Sequence, residues 1–247
     1  MRLQVFLSHN GLCSRRKAME IIQSGCVKVN REIVTEPSTP VDPSRDKVFV
    51  DGEPIEEKSY QYVVLNKPAG YVTTTTDPHA EKTVLSLLPK EFQHLNPVGR
   101  LDKDTQGLLL FTNDGDAGYR LTHPKFNLDK TYVVKIHSEL TPEQKILLEK
   151  GVLVEGRRTA PAKIRNLKNT GAGGSEFEIT IHEGRKRQIR HMLNSVGQKV
   201  VFLKRIVQGP LLLGDLKTGQ WRILNKDEIN AIESPKNRRP KTKDLLI

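Results

Sequence analysis

The chain has 247 residues, with 40 Lys and Arg against 29 Asp and Glu, which leaves a net charge of +11. That length gives one large or two modest domains and enough chain to bury a core without staples. Two cysteines are too few for a disulfide scaffold, no apolar run approaches the roughly 18 residues of a membrane span, and the positive excess favours a polyanionic partner such as nucleic acid.

The opening residues 1–12 lack the long apolar stretch of a secretory signal, which predicts a cytoplasmic protein. Leu3, Phe6 and Leu7 have helical spacing, and Asn10-Gly11 ends that helix. Ser14 then caps a second helix over 15–23, whose apolar face is Ala18, Ile21 and Ile22. Gly25 stops it, and Val27 and Val29 alternate as a strand. Cys13 and Cys26 read as small buried residues. Residues 35–60 are rich in Pro, Asp, Glu and Ser around a short strand at 47–50, the pattern of a small domain running into a linker.

From Tyr60 the character changes. Residues 62–65 form a strand closed by Asn66-Lys67-Pro68-Ala69-Gly70, and 83–88 a short helix stopped by Pro89. Asp77-Pro78-His79 reads as loop. Residues 107–112 are a wholly apolar strand, followed by a helical turn at 117–121, a strand at 130–137 and an amphipathic helix over 142–151. Strands at 162–167 and 176–182, a helix at 188–196 and a strand at 200–207 complete the body. The irregular alternation predicts an α+β fold with a mixed, mainly antiparallel sheet. Residues 235–247 carry five Lys and Arg against one Asp and read as a basic tail. The seven histidines are scattered, which predicts no metal site, and phosphate-loop and dinucleotide motifs are absent.

The chemistry concentrates in Arg100-Leu101-Asp102-Lys103-Asp104-Thr105-Gln106-Gly107, a charged loop just before the apolar strand. Taken alone, these residues leave two readings open. Asp102 or Asp104 could cap backbone amides in a turn. The pair could serve glycoside hydrolysis, although carboxylates two apart can point to opposite sides of an extended segment.

Several motifs in chain order resemble one family, the bacterial pseudouridine synthases of the RsuA/RluB type. They are Leu65-Asn66-Lys67-Pro68-Ala69-Gly70, then Gly99-Arg100-Leu101-Asp102 with Thr105 and Gly107-Leu108-Leu109, then Thr112-Asn113-Asp114-Gly115. His123-Pro124-Lys125 with Lys130-Thr131-Tyr132 follows, then Glu183-Gly184-Arg185-Lys186-Arg187-Gln188-Ile189-Arg190, then Gly209-Pro210 and Gly219-Gln220-Trp221-Arg222. Residues 1–50, with Ser14-Arg15-Arg16 and Gly25-Cys26-Val27-Lys28-Val29-Asn30, resemble the S4 RNA-binding domain that precedes this catalytic domain. The resemblance implies an S4 domain at 1–50, a linker at 51–59, a catalytic domain at 60–234 and the tail at 235–247.

The implied reaction is isomerisation of a uridine to pseudouridine in ribosomal RNA, 23S ahead of 16S, free or in a pre-ribosomal particle. It neither oxidises nor hydrolyses, so no cofactor is expected, and the enzyme is expected to act as a monomer. A non-catalytic RNA-binding assembly protein is the alternative, and it would lack the catalytic set. The resemblance makes Asp102 the catalytic aspartate, acting as a nucleophile at C1′ or C6 or as a base at C2′. It makes Arg190 the basic partner of that aspartate and Tyr132 the ring that stacks on the flipped base. Lys67 and Pro68 shape the wall under Tyr132. Arg100 fills the space the flipped base vacates or holds a phosphate, and Arg185, Lys186 and Arg187 hold phosphates beside the pocket. Arg15, Arg16, Lys17, Lys28 and Arg31 form a second RNA-binding face on the S4 domain.

Overall fold

The computed structural model describes residues 1–75, 82–171 and 173–233. The predicted loop at 77–79 and the basic tail at 235–247 lie outside the described residues. The N-terminal unit begins with α1 (Leu3–His9) and α2 (Arg15–Gln23). The Ser14 hydroxyl accepts from the Lys17 amide at 3.3 Å, as an N-cap does. Gly25 ends the turn after α2 with φ +78°. Leu3, Phe6 and Leu7 pack with Ala18, Ile22, Val27 and Val48 into one small core. β1 (Val27–Val29) pairs antiparallel with β2 (Glu32–Ile33) and β3 (Val48–Val50). β4 (Glu53–Pro54) adds to β3 and Ile55 packs on the same core, so this sheet runs into the span expected as linker.

The cysteines are not buried as expected. Cys26 is exposed and Cys13 half-buried. Cys26 stands just before β1, where the Ser24 hydroxyl donates to its Sγ at 3.3 Å, and the next residue, Val27, takes the inward position.

The second unit is a nine-stranded sheet. β5 (Tyr62–Lys67), β6 (Asn96–Pro97), β7 (Gln106–Thr112), β8 (Lys130–Ile136), β11 (Lys163–Asn169), β12 (Ser175–Ile181), β13 (Val200–Gln208), β14 (Leu211–Leu212) and β15 (Trp221–Ile223) belong to it. Its order is β11-β12-β8-β13-β7-β5-β15, with β14 on β13 and β6 on β7. Among these pairings β13 with β7 is parallel and the rest are antiparallel, which matches the mixed, mainly antiparallel sheet expected of an α+β chain. β9 (Leu153–Val154) and β10 (Arg157–Arg158) form a separate hairpin.

β5 and β7 are buried on both faces, which explains their unbroken apolar runs. Val63, Leu65, Leu109 and Phe111 enter one core, and Tyr62, Val64, Leu108 and Leu110 enter the other, because successive side chains in a strand point to opposite faces. The second core is closed by α3 (Gly115–Thr122) and α6 (Lys226–Glu233). α5 (Gln188–Ser195) buries Ile189, Met192 and Leu193 in the first. The short helix expected at 83–88 is a tight 3-10 turn, Val84–Leu87. α4 (Pro142–Lys150) carries a full capping box from Thr141 and Gln144. Its apolar face is thinner than expected: Leu148 is buried while Ile146 and Leu147 are exposed. Polar anchoring accompanies that thin face, since the Gln144 side chain donates to Val196 O at 2.8 Å.

Part of the Thr112-Asn113-Asp114-Gly115 motif is structural. Asp114 caps α3 by accepting from the amides of Asp116 and Ala117 at 2.9 and 3.0 Å. Asn113 ties the two units together, because its side-chain amide donates to His9 O at 3.4 Å and Ser59 O at 3.1 Å.

Candidate active site

Residues 98–105 link β6 to β7 and carry Asp102 on a heavily anchored loop. Lys67, at the end of β5, is fully buried beneath it. Its Nζ donates to the carbonyls of Thr105 at 2.8 Å, Asp102 at 3.0 Å, Pro68 at 3.2 Å and Lys103 at 3.4 Å. Burial pushes the Lys67 amine down to about 8, while the charges of Asp104 and Asp102 act in the opposite direction. The Thr73 hydroxyl donates to Leu101 O at 2.8 Å, and the Gly70 amide donates to Lys103 O at 2.7 Å. Lys67 therefore holds the loop from below, and neither it nor Pro68, whose carbonyl also accepts from its Nζ, lines the cavity described next as the wall expected under Tyr132. Thr73 had no signal in the sequence, since its role depends on a contact across 28 residues.

A cavity of about 370 Å³ opens above the loop. Asp102, whose side chain is 34% exposed, and Tyr132 on β8 both line it. Leu101, Ile181, Ile189 and Leu203 supply apolar wall. Asp102 is the one carboxylate among the described lining residues, against Arg100, Lys130, Arg185, Lys186, Arg187 and Arg205. Of the four cations expected at the rim, all reach the cavity. Arg185 is also structurally engaged, because its guanidinium donates to Arg158 O at 2.8 Å and lies 3.4 Å from Glu183.

The arginine pairing differs from expectation. Arg190 on α5 does not line the cavity, and its Nη2 lies 3.1 Å from Asp104, not on Asp102. Arg190 also donates to Asp104 O at 3.2 Å and Val200 O at 3.4 Å. Arg187, expected as a phosphate contact, holds both oxygens of Asp104 at 3.0 Å and brings Nη1 to 4.0 Å from Asp102 Oδ2. The physical reason is placement on the helix. Arg187 is the N-cap residue of α5, held at φ +50°, and faces the 102–104 loop directly, whereas Arg190 lies one turn further on. Burial works against ionisation of Asp104, but the Arg187 hydrogen bond and the charges of Arg190 and Arg187 hold its carboxyl below the usual range. That hydrogen bond in turn pushes Arg187 up.

Residues 61–195 match the RNA pseudouridylate synthase family, and residues 1–46 match the S4 domain. The chain belongs to the RNA pseudouridylate synthase family. It is 41% identical over 234 residues to ribosomal large subunit pseudouridine synthase B of Bacillus subtilis, covering 94% of this chain and 96% of that protein. It is 39% identical to an RNA pseudouridine synthase of Aquifex aeolicus, covering 93% and 92% respectively. A crystal structure of a pseudouridylate synthase superposes with a TM-score of 0.67 at 32% identity, over 94% of this chain and 99% of that one.

In this pseudouridine synthase the S4 cations differ in their surroundings. Arg15 reaches over Gly115 and lines a second cavity of about 300 Å³ that shares Gly99 and Thr122 with the first. Arg16, Lys28 and Arg31 are exposed. Lys17 is exposed and paired with Glu20 at 2.9 Å. The resemblance placed Asp104 outside the catalytic set, and the structure makes it the shared acceptor of two arginines. Its signal was its place in the charged loop, two residues from Asp102.

Proposed function

We propose that this enzyme converts a uridine of large-subunit (23S) ribosomal RNA to pseudouridine, with Asp102 as the reacting carboxylate. The observation that carries the reading is a single carboxylate among the described residues lining a cavity that also carries six cations. The cations suit a polyanion. Hydrolysis of a glycoside calls for two carboxylates flanking the bond, and the described lining residues offer one. In the isomerisation the N1–C1′ bond breaks, the base turns, the C5–C1′ bond forms, and the proton lost from C5 is balanced by one gained at N1.

Asp102 serves as nucleophile at C1′ or C6, or as base at C2′. Each route begins from the carboxylate, and Arg187 Nη1 lies 4.0 Å from its Oδ2. Tyr132 supplies the ring against which the flipped base stacks, and Leu101, Ile189 and Leu203 exclude water from it. Arg100 and Lys186 at the exposed rim hold the flanking phosphates. All of these groups come from one chain, which supports action as a monomer. The large-subunit target rests on the Bacillus subtilis relative, whose similarity extends across the S4 and catalytic units alike.

The test is pseudouridine mapping of both ribosomal RNAs from cells lacking the protein. One pseudouridine should disappear from the large-subunit RNA and return on complementation. Loss confined to small-subunit (16S) RNA would overturn the target, and loss from neither would overturn the reading.

A further inference from the structure

Three residues that line the cavity carry buried polar side-chain atoms with no hydrogen-bond partner among the described residues. Arg205 and Gln208 of β13 are 2% and 1% exposed, yet Arg205 Nη2 and Gln208 Oε1 have no hydrogen-bond partner. The hydroxyl of Thr105, also buried, is a third such atom. All three residues line the cavity. Buried polar groups are almost always paired, so a cluster of orphans on one cavity marks where a ligand completes the set.

Positions three apart on a regular strand face opposite ways. The register of β13 against β8 shifts between Arg205 and Val207, and this irregularity lets Arg205 and Gln208 share one side. Arg205 is opposite Tyr132 and Gln208 is opposite Lys130. The Arg205 guanidinium is oriented by its Nε, which donates to Leu108 O at 2.9 Å. Gly107 makes that approach possible, since a Cβ there would collide with the Arg205 backbone.

A donor and an acceptor on one face of β13 narrow the ligand. Phosphate accepts only and would leave the Gln208 oxygen facing another oxygen. A cation is opposed by Arg205 and Lys130. The edge of a uracil presents C=O and N3–H on neighbouring atoms and satisfies both at once. We propose that Arg205 and Gln208 read the base edge of the target uridine, Arg205 Nη2 donating to a ring carbonyl and Gln208 Oε1 accepting from N3–H. This rests on the reading of the cavity as the uridine site.

The test measures kcat and KM on an RNA fragment carrying the mapped uridine, and on the same fragment with 3-methyluridine there. The wild type should prefer uridine by about tenfold or more, as a site built to pair a polar edge rejects an analogue lacking it. Gln208→Met should lose most of that preference, and an unchanged preference in the folded variant overturns the proposal. Arg205→Lys supplies an independent arm. Its penalty on uridine should shrink on 2-thiouridine or 4-thiouridine, whose sulfur accepts weakly, whereas an equal penalty on all three overturns the role given to Arg205. A preference lost against 2′-deoxyuridine instead of 3-methyluridine would move the pair to the ribose and overturn the base-edge assignment. Thermal unfolding confirms that each variant is folded. A wild type that makes no pseudouridine in the fragment defeats the uridine-site reading itself, which separates the two failures.

Discussion

Arg187 Nη1 stands 4.0 Å from Asp102 Oδ2 while the same guanidinium grips both oxygens of Asp104 at 3.0 Å. One cation thus spans two carboxylates two residues apart. The bidentate bond goes to the carboxylate outside the cavity lining, and the looser approach goes to the one that lines it. Arg190 reinforces Asp104 from the other side. Asp104 is therefore the hinge on which both arginines are held.

Arg187→Met should lower kcat by about tenfold or more with KM changed by only a few-fold. Stability should change by less than about 1 kcal/mol, because the Arg187 and Asp104 side chains are 39% and 47% exposed. Arg190 is 14% exposed and should show its pairing in stability instead. A double-mutant cycle of Arg190→Met with Asp104→Asn should give at least about 0.5 kcal/mol of coupling in urea unfolding. No coupling there would place Arg190 elsewhere.

Asp102→Asn should abolish pseudouridine formation and leave RNA affinity within a few-fold. Single-turnover assays and filter binding on the same fragment check both. Full turnover by this variant would remove Asp102 from the chemistry.

Lys67→Met should cost activity through the loop, since four carbonyls lose their donor at once. The pH dependence has a defined sign. The folded amine titrates near 8 and the ordinary one near 10.5, so between these values the folded protein binds fewer protons than the unfolded. Linkage then makes this group's contribution to stability rise with pH across that window. Activity should fall over the same window as the anchoring ammonium is lost. Urea unfolding of wild type and Lys67→Met from pH 7.5 to 10 reads the difference, and parallel curves would contradict it.

Gly107→Ala should destabilise the protein by about 3 kcal/mol or more. The added Cβ would meet the backbone of Arg205 at the parallel β7–β13 pairing, at φ +106°. Thermal unfolding checks this, and a near-neutral result would mean that the two strands are not so close.

Arg15→Ala with Arg16→Ala should weaken RNA binding and flatten its salt dependence, by about one unit of slope for each phosphate no longer neutralised. A slope unchanged from wild type would show that α2 is not on the RNA.

Much of this protein was written in short-range pattern. The cap at Ser14, the apolar strands β5 and β7 and the loop bearing Asp102 follow from spacing and propensity, because each depends on residues within a few positions. The order of the motifs was equally legible and led to the family. Which arginine meets which carboxylate was not, because those pairings close over 83 to 86 residues of chain and turn on which side of α5 faces the loop. Nor could spacing show that Lys67 is pinned under the loop, or that Cys26 faces solvent. Arg205 and Gln208 show the limit most clearly. Alternation alone would send them to opposite faces, and a register shift against β8 gathers them at one cavity. Local sequence chose the elements, while the pairing of distant strands decided which side chains share a site.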